Sequence, residues 1–285
     1  MASGIRRRKT SWKEKIRRVL TMAESKLSEG LYYEAQQIFK AVSPRYLSQG
    51  KVKEAIVLLR QGSLNMLKYR QLRCTLDLSN DIIRIEDVHS SKVDYEMESL
   101  NALMDILNEF PESKEKDQLL NEAVAWSRKK EFQGIRYEFG HPSLHIIGAQ
   151  SKMIQKDERG ALDHYLRSKS PSEFARGVLS MASEGHTSEK DLFVARAALE
   201  ILSRGEGILA AEHFLKEVRL ELDRRSTDVS SLYLIRYCER LVLALKMSDK
   251  GFHLFDTLQK VYSPAFRRDP SCAKLIAMIA KRYYS

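Results

Sequence analysis

Three histidines are the side chains of this sequence best suited to bind a metal ion. His141 and His145 lie four residues apart, and His164 lies on the next predicted helix. A structural zinc site needs four ligands, and neither a fourth ligand nor an HExxH pattern accompanies these three. We therefore predict packing and capping roles for these histidines, and no bound metal.

Carboxylates are the other groups that could do chemistry. One predicted helix carries four of them, Asp77, Asp81, Glu86 and Asp87, but their spacing matches no calcium-binding loop, so a solvated helix face is the better interpretation. The sequence also contains no phosphate-binding loop, Rossmann glycine pattern, nucleophile elbow or kinase motif set. We predict no catalytic residue, no cofactor and no enzymatic activity.

The cysteines and the hydropathy indicate the compartment. The three cysteines, Cys74, Cys238 and Cys272, are far apart and form no CxxC pair, which favours a reducing environment over a disulfide framework. No apolar run approaches the roughly 20 residues that span a bilayer, and the N-terminus lacks the apolar core of a secretory signal. We expect a cytosolic protein without membrane insertion.

Positive charge is concentrated at the N-terminus. The net charge is +10, and residues 1–18 contribute most of it, with eight basic residues against Glu14 alone. A nucleic-acid binder would spread such charge along a groove or face, so one basic end that meets an acidic partner fits better. Residues 1–10 are predicted to be a disordered basic tail, and the run from Arg6 to Lys9 could be a nuclear import signal.

The elements that must position these residues are predicted to be helices. Prolines are few (6 in 285 residues), and runs of β-branched residues with a period of two are absent. In a recurring pattern, an alanine follows a glycine by five residues, and a large apolar residue follows the alanine by four. This pattern is typical of a helical hairpin, because glycine allows the tight turn and alanine allows the two helices to approach closely. The three matches are Gly30, Ala35 and Phe39; Gly50, Ala55 and Leu59; and Gly205, Ala210 and Phe214.

This repeat predicts an all-α fold, a right-handed superhelical stack of helical hairpins of the tetratricopeptide-like α-solenoid type. We divide it into an N-terminal lobe at 11–140 and a C-terminal lobe at 141–285. Pro44 is expected to kink or end the second helix. In the C-terminal lobe, an apolar docking surface is predicted from four large side chains: Leu232, Tyr233, Tyr237 and Phe252.

An ordered set of motifs resembles one known family. The stretch Tyr32-Tyr33-Glu34-Ala35-Gln36-Gln37, followed by Arg45-Tyr46, is similar to the signature of the Golgi-to-endoplasmic-reticulum traffic protein four homologue family, with Gln36 in place of that family's histidine and Pro44 as a second departure. Further similar segments follow in order: Gly140 to His145, Asp191 to Leu199, Tyr262 to Pro264, and Arg267 to Pro270. Together they cover about residues 24 to 283.

The resemblance implies a non-catalytic adaptor in the targeting of tail-anchored membrane proteins to the endoplasmic reticulum. In such families the N-terminal helices bind a homodimeric targeting ATPase, and the C-terminal half binds a ubiquitin-like protein or a BAG-domain co-chaperone. On this chain the first two helices can gather basic side chains on one side, so we predict an ATPase face that comprises Lys15, Arg18, Lys26, Gln36, Lys40, Arg45 and Asp77. Arg45 is the leading candidate because it lies in the Arg-Tyr pair of the motif.

Two alternatives remain open at this point. One is a tetratricopeptide-like scaffold subunit of another complex, of the proteasome-lid or translation-factor type, which a C-terminal winged helix with strands would favour. The other is a nucleic-acid-binding helical repeat, which depends on the charge alone.

Overall fold

The computed structural model describes residues 12–88, 95–186, 189–204, 207–225 and 233–284, without the side chains of 86–88 and 248–249. The described residues form fourteen α-helices, and most of them pack against the next helix along the chain. Their bounds are α1 Trp12–Ser28, α2 Tyr32–Leu47, α3 Val52–Lys68, α4 Leu72–Val88, α5 Glu96–Glu109, α6 Lys114–Ser127, α7 Pro142–Ile154, α8 Glu158–Ser168, α9 Pro171–Glu184, α10 Lys190–Arg204, α11 Ile208–Arg224, α12 Tyr233–Lys246, α13 Phe252–Phe266 and α14 Pro270–Tyr284. A short 3₁₀ helix, Ser248–Gly251, connects α12 to α13.

The predicted all-helical fold is confirmed, with one small addition. Two short antiparallel strands, β1 (Glu131–Phe132) and β2 (Ile135–Arg136), follow α6. Gln133 and Gly134 connect them, both with positive φ, as a two-residue hairpin turn of type I′ requires. The strands are too short for an alternating pattern to reveal them in the sequence.

Two compact units divide the chain, Met1–Ile147 and Gly148–Ser285, so the division falls inside α7. Each unit has its own hydrophobic core. In the first unit, α3 packs against α1, α2, α4 and α5; in the second, α10 packs against α9, α11, α12 and α14. The boundary predicted at residue 140 stays a prediction, and the basic tail and the run from Arg6 to Lys9 lie outside the described residues.

The repeat pattern gives the reason for the first two hairpins. Gly30 and Gly50 have φ of 78° and 70°, a left-handed conformation that only glycine adopts without strain. Ala35 and Phe39 are fully buried, and the Phe39 ring lies on Gly62 of α3, where an added Cβ would come within 2.9 Å of the ring. Small residues therefore set the close approach of α2 and α3, and the aromatic ring fills the space beside them.

The third repeat match was placed wrongly. Ala210 is only partly buried, whereas the neighbouring Ala211 is fully buried beside Phe214. The glycine with positive φ before this helix is Gly207, at 98°, and Gly205 lies outside the described residues. Phe214 is buried as predicted, so only the alanine of this match is displaced, by one residue.

Pro44 does not end α2, since the helix continues to Leu47 and the Ser48 amide donates to the Pro44 carbonyl. The alternative, a kink at Pro44, stays a prediction. A proline this close to the C-terminus removes one backbone hydrogen bond and leaves the preceding turns intact. No helix in the described part of the chain combines the length and apolar character that crossing a bilayer requires.

Candidate protein-interaction surfaces

Three residues predicted for the N-terminal binding face form one network between α2 and α4. The Gln36 side-chain amide donates to Asp77 Oδ2 at 2.6 Å, and Lys40 Nζ lies 2.5 Å from the same oxygen and 3.9 Å from Asp81 Oδ2. Gln36 is buried and Lys40 is half-buried. Burial raises the pKa of Asp81 above its usual range, although the Lys40 charge opposes this effect. The network joins two helices, so these groups hold α2 against α4.

Two other predicted cations are paired within the hairpin of α1 and α2. Lys26 Nζ lies 3.4 Å from Glu29 and 3.2 Å from Glu34, and these carboxylates raise the pKa of Lys26. Arg18 pairs with Glu14 at 3.1 Å, one turn earlier on α1. The basic face that the sequence predicted is therefore largely neutralised by nearby carboxylates.

Lys15 and Arg45 are the two predicted cations that make no ion pair within the described ranges, and both are exposed. Each is separated from the Gly30 turn by the same length of chain, and α1 packs along α2, so both lie at the end of this helix pair opposite the turn. We call Lys15 and Arg45, which lie at the same end of this helix pair, the cationic site of the first unit.

The predicted C-terminal docking residues differ sharply in exposure. Phe252 and Tyr233 are 53% and 44% exposed, whereas Tyr237 is 0% exposed. The Tyr237 ring packs on Tyr262 and Phe266, and its hydroxyl is 3.2 Å from Gln259 Oε1. Tyr237 is a core residue, which corrects its assignment to a surface; Leu232 lies outside the described residues.

Sequence reasoning missed two exposed apolar residues, one on the outer side of α12 and one directly after its last residue. Leu243 and Met247 are exposed, and at helical spacing they continue a face that includes Tyr233, Arg236 and Arg240. The sequence could have predicted that these two residues are exposed. Apolar side chains that share a helix face with arginines do not belong to the buried face of the helix. We call Tyr233, Leu243, Met247 and Phe252 the α12–α13 surface.

Two of the resembling motifs meet in the second unit. Arg196 of α10 donates through Nε and Nη2 to Asp269 Oδ2 at 2.9 and 2.6 Å, although 73 residues separate them. Asp191, one turn earlier, lies 3.4 Å from Arg268 and accepts from the Leu234 amide at 3.4 Å. These ion pairs, which we call the α10 clasp, hold α10 against the start of α14 and of α12. These motif residues therefore build the fold.

The motif from Gly140 to His145 connects α7 to α6. The His141 amide donates to Ser127 Oγ at 2.9 Å, and its ring Nδ1 accepts from the Ser143 amide at 3.3 Å. His145 Nε2 lies 3.0 Å from the Phe139 carbonyl oxygen. In the second unit, the His164 ring lies on Gly148, where a Cβ would approach it to 2.6 Å. These contacts confirm the predicted packing and capping roles. Among the described residues, no three His, Cys, Asp or Glu side chains group so as to hold a metal ion.

We expect His141 to make the first unit less stable in mild acid. Its ring packs 4.9 Å from Phe132 and 5.0 Å from Tyr137, and burial lowers its pKa below the ordinary 6.5. The fold thus prefers the neutral ring, so stability present at pH 7 is lost as the pH falls below about 6.5 towards the lowered pKa. The fluorescence of Trp126, which packs on Phe132, follows thermal unfolding of this unit. An equally steep pH dependence in His141→Gln would contradict this.

Known proteins resemble the chain over almost its whole length. The sequence profile of the family Golgi to ER traffic protein 4 matches residues 49–285. The chain is 26% identical to "Golgi to ER traffic protein 4 homolog" of Dictyostelium discoideum over 275 residues, which cover 94% of this chain and 83% of that protein. It is 25% identical to "Protein GET4" of Arabidopsis thaliana, over 95% of this chain and 89% of that one.

A solved structure agrees with the fold. The crystal structure of C. therm. Get4 superposes with a TM-score of 0.75 at 21% identity, covering 95% of this chain and 90% of the other. At this identity the likeness establishes the helical architecture. The profile match over more than half of the chain establishes the family: the chain belongs to the Golgi to ER traffic protein 4 family.

Proposed function

We propose that this chain is a non-catalytic cytosolic adaptor in the targeting of tail-anchored membrane proteins, and that it joins a homodimeric targeting ATPase to a ubiquitin-like protein or a BAG-domain co-chaperone. Family membership implies the role in tail-anchored protein targeting. The observation that carries the proposal is the extent of the relationship, because the matches include both compact units. An adaptor needs two separate binding surfaces, and each unit offers one.

The first unit would bind the ATPase through its cationic site. Lys15 and Arg45 remain available for an acidic partner, since Arg18, Lys26 and Lys40 are already paired with carboxylates. Gln36, Lys40 and Asp77 would act indirectly, by fixing α2 against α4 and thereby orienting the helix that carries Arg45. Charge at such a site mainly raises the association rate and is screened by salt over about 8 Å at physiological ionic strength.

The second unit would bind its partner through the α12–α13 surface. Tyr233 stacks on Tyr262 at 4.4 Å, and Phe252 packs edge-on against Tyr284 at 5.4 Å, so one side of each ring is held while the other faces solvent. Large apolar side chains fixed in this way lose little conformational freedom on binding, which favours their use as anchors.

The bridging role is testable with the full chain. We expect immobilised protein to retain from cytosol both an ATPase dimer and a ubiquitin-like or BAG-domain protein, identified by mass spectrometry. Addition of the purified second partner to the chain–ATPase complex should then give a ternary complex in size-exclusion chromatography. Mutually exclusive binding would overturn the adaptor proposal.

Substitution of both Tyr233 and Phe252 by serine should lower the affinity for the C-terminal partner at least tenfold. Binding of the ATPase should not change. Burial of one large apolar side chain contributes about 1.5–3 kcal/mol, so the loss of two anchors exceeds one order of magnitude. The control is Tyr237→Phe, which keeps the buried ring and should bind normally. Unchanged binding of the double variant would exclude these two residues as anchors. Truncation near residue 226 is unsuitable, because α12 and α14 pack on α10.

A further inference from the structure

A second candidate binding site lies in the second unit, apart from the surfaces described above. A pocket of about 300 Å³ opens among α8, α9, α10 and α11. Its floor is aromatic and aliphatic, formed by the buried side chains of Tyr165, Phe174, Ile201 and Phe214. None of these belongs to the α12–α13 surface or the α10 clasp, so the pocket has no part in the function proposed above.

The floor is rigid. Tyr165 stacks on Phe174 with ring centroids 5.6 Å apart and 12° between the planes, and Phe174 contacts Phe214 at 4.7 Å. The Tyr165 ring lies directly on Gly177 of α9, where an added Cβ would come within 2.2 Å of it. A pocket already formed in this way costs a ligand little reorganisation.

The rim is cationic. Lys169 is the one lining residue with a permanent charge, and within the described ranges it makes no ion pair. Ser170 and His213 line the same rim, and the Ser170 hydroxyl is not used as a cap for α9. No carboxylate is among the lining residues. An aromatic floor beneath such a rim complements an aromatic side chain flanked by acidic residues.

We infer that this pocket binds a partner protein through one aromatic side chain set in an acidic segment. Phenylalanine fits the floor, because aromatic rings pack favourably in offset or edge-on geometry at centroid distances of 4.5–7 Å. The carboxylates on either side of it would then face Lys169, and the Ser170 hydroxyl can donate to them. The floor of the pocket therefore favours an aromatic side chain, and its rim favours acidic residues on either side of that side chain.

The test uses the full chain and three synthetic fluorescent peptides. One has a central phenylalanine between aspartates and glycines, the second has alanine at the centre, and the third has lysines in place of the aspartates. In fluorescence anisotropy, the first should bind at least tenfold more tightly than the alanine peptide, as burial of one aromatic side chain implies. It should also bind more tightly than the lysine peptide, because lysines would place like charges opposite Lys169. With alanine methyl groups labelled by carbon-13, the NMR signal of Ala210, a lining residue, should shift.

Two matched variants distinguish the loss of the Lys169 charge from any effect of glycine on helix stability. Lys169 and Lys156 both have left-handed φ, of 52° and 59°, where glycine is less strained, so replacement by glycine should not weaken either helix end. Lys169→Gly should bind the phenylalanine peptide three- to tenfold more weakly and with less salt dependence. Lys156→Gly, outside the pocket lining, should bind it normally.

Any of four outcomes would overturn the inference. Equal binding of the phenylalanine and alanine peptides would exclude an aromatic anchor. Equal effects of the two lysine variants, or an unmoved Ala210 signal, would place the peptide elsewhere. Binding of free phenylacetate as tight as that of the peptide would make the pocket a small-molecule site.

Discussion

Replacement of Asp269 by alanine should lower the free energy of unfolding of the second unit by about 2–3 kcal/mol. Burial alone would raise the pKa of Asp269, but hydrogen bonds from Ser271 and the Arg196 guanidinium bring it from 3.8 down to about 2. Asp269 Oδ1 accepts from the Ser271 amide at 3.0 Å and from its hydroxyl at 2.6 Å. The variant therefore loses both a helix cap on α14 and the inter-helix ion pair.

The tryptophans make this effect measurable. Both of them, Trp12 and Trp126, lie in the first unit, so their fluorescence in urea follows that unit while circular dichroism follows both. In Asp269→Ala, the unfolding transition of the second unit, which only circular dichroism detects, should move to lower urea concentration. The transition that fluorescence reports should not move. Glu212→Gln, which breaks the exposed pair with Lys246, should shift neither. A loss no larger in Asp269→Ala than in this control would mean that the clasp contributes nothing.

The clasp also predicts an acid limit. A carboxyl group whose pKa is depressed by folding contributes stability above its unfolded pKa, and that stability is lost as the pH falls towards the folded value. For Asp269 the contribution is complete above about pH 4 and disappears towards pH 2. The difference between the wild type and Asp269→Asn should shrink over the same interval.

Charge reversal in Arg45→Glu should weaken binding of the targeting ATPase at least tenfold, mainly through the association rate. The new carboxylate removes an exposed cation and places a negative charge opposite the acidic surface that we propose for the partner. The loss should diminish in high salt, because exposed charges are screened. Stopped-flow association at low and high ionic strength measures the effect, and unchanged helical content in circular dichroism would show that the fold is retained.

Arg70→Glu is the matched control for Arg45→Glu. Arg70 is likewise exposed, but it follows α3 and lies beside the opposite end of the α1–α2 pair, where Tyr69 packs 6.1 Å from Tyr32 near the Gly30 turn. The same change of net charge at that end should leave the association rate nearly unchanged. If both reversals slow association equally, net charge governs the encounter. If neither does, the contact lies elsewhere, for example on α4 around Asp77.

Local sequence determined the helices and their turns. The helix α3, Val52–Lys68, is an example, because its apolar residues recur with the helical period and Gly50 ends the preceding hairpin. The ordered motifs identified the family. The third match named the wrong alanine as buried. Ala210 and Ala211 are adjacent and identical, so the sequence does not distinguish which of them faces the neighbouring helix.

Tertiary structure alone decided which candidate residues remain available to a partner. Helical spacing indicates which side chains share a face, but solvent exposure depends on what packs against that face. Tyr237 and Phe252 therefore looked equivalent in the sequence although one is buried under α13 and the other faces solvent. Charge pairing depends likewise on the register between helices, which brings Lys40 to Asp77 and Arg196 to Asp269 while leaving Arg45 unpaired within the described residues.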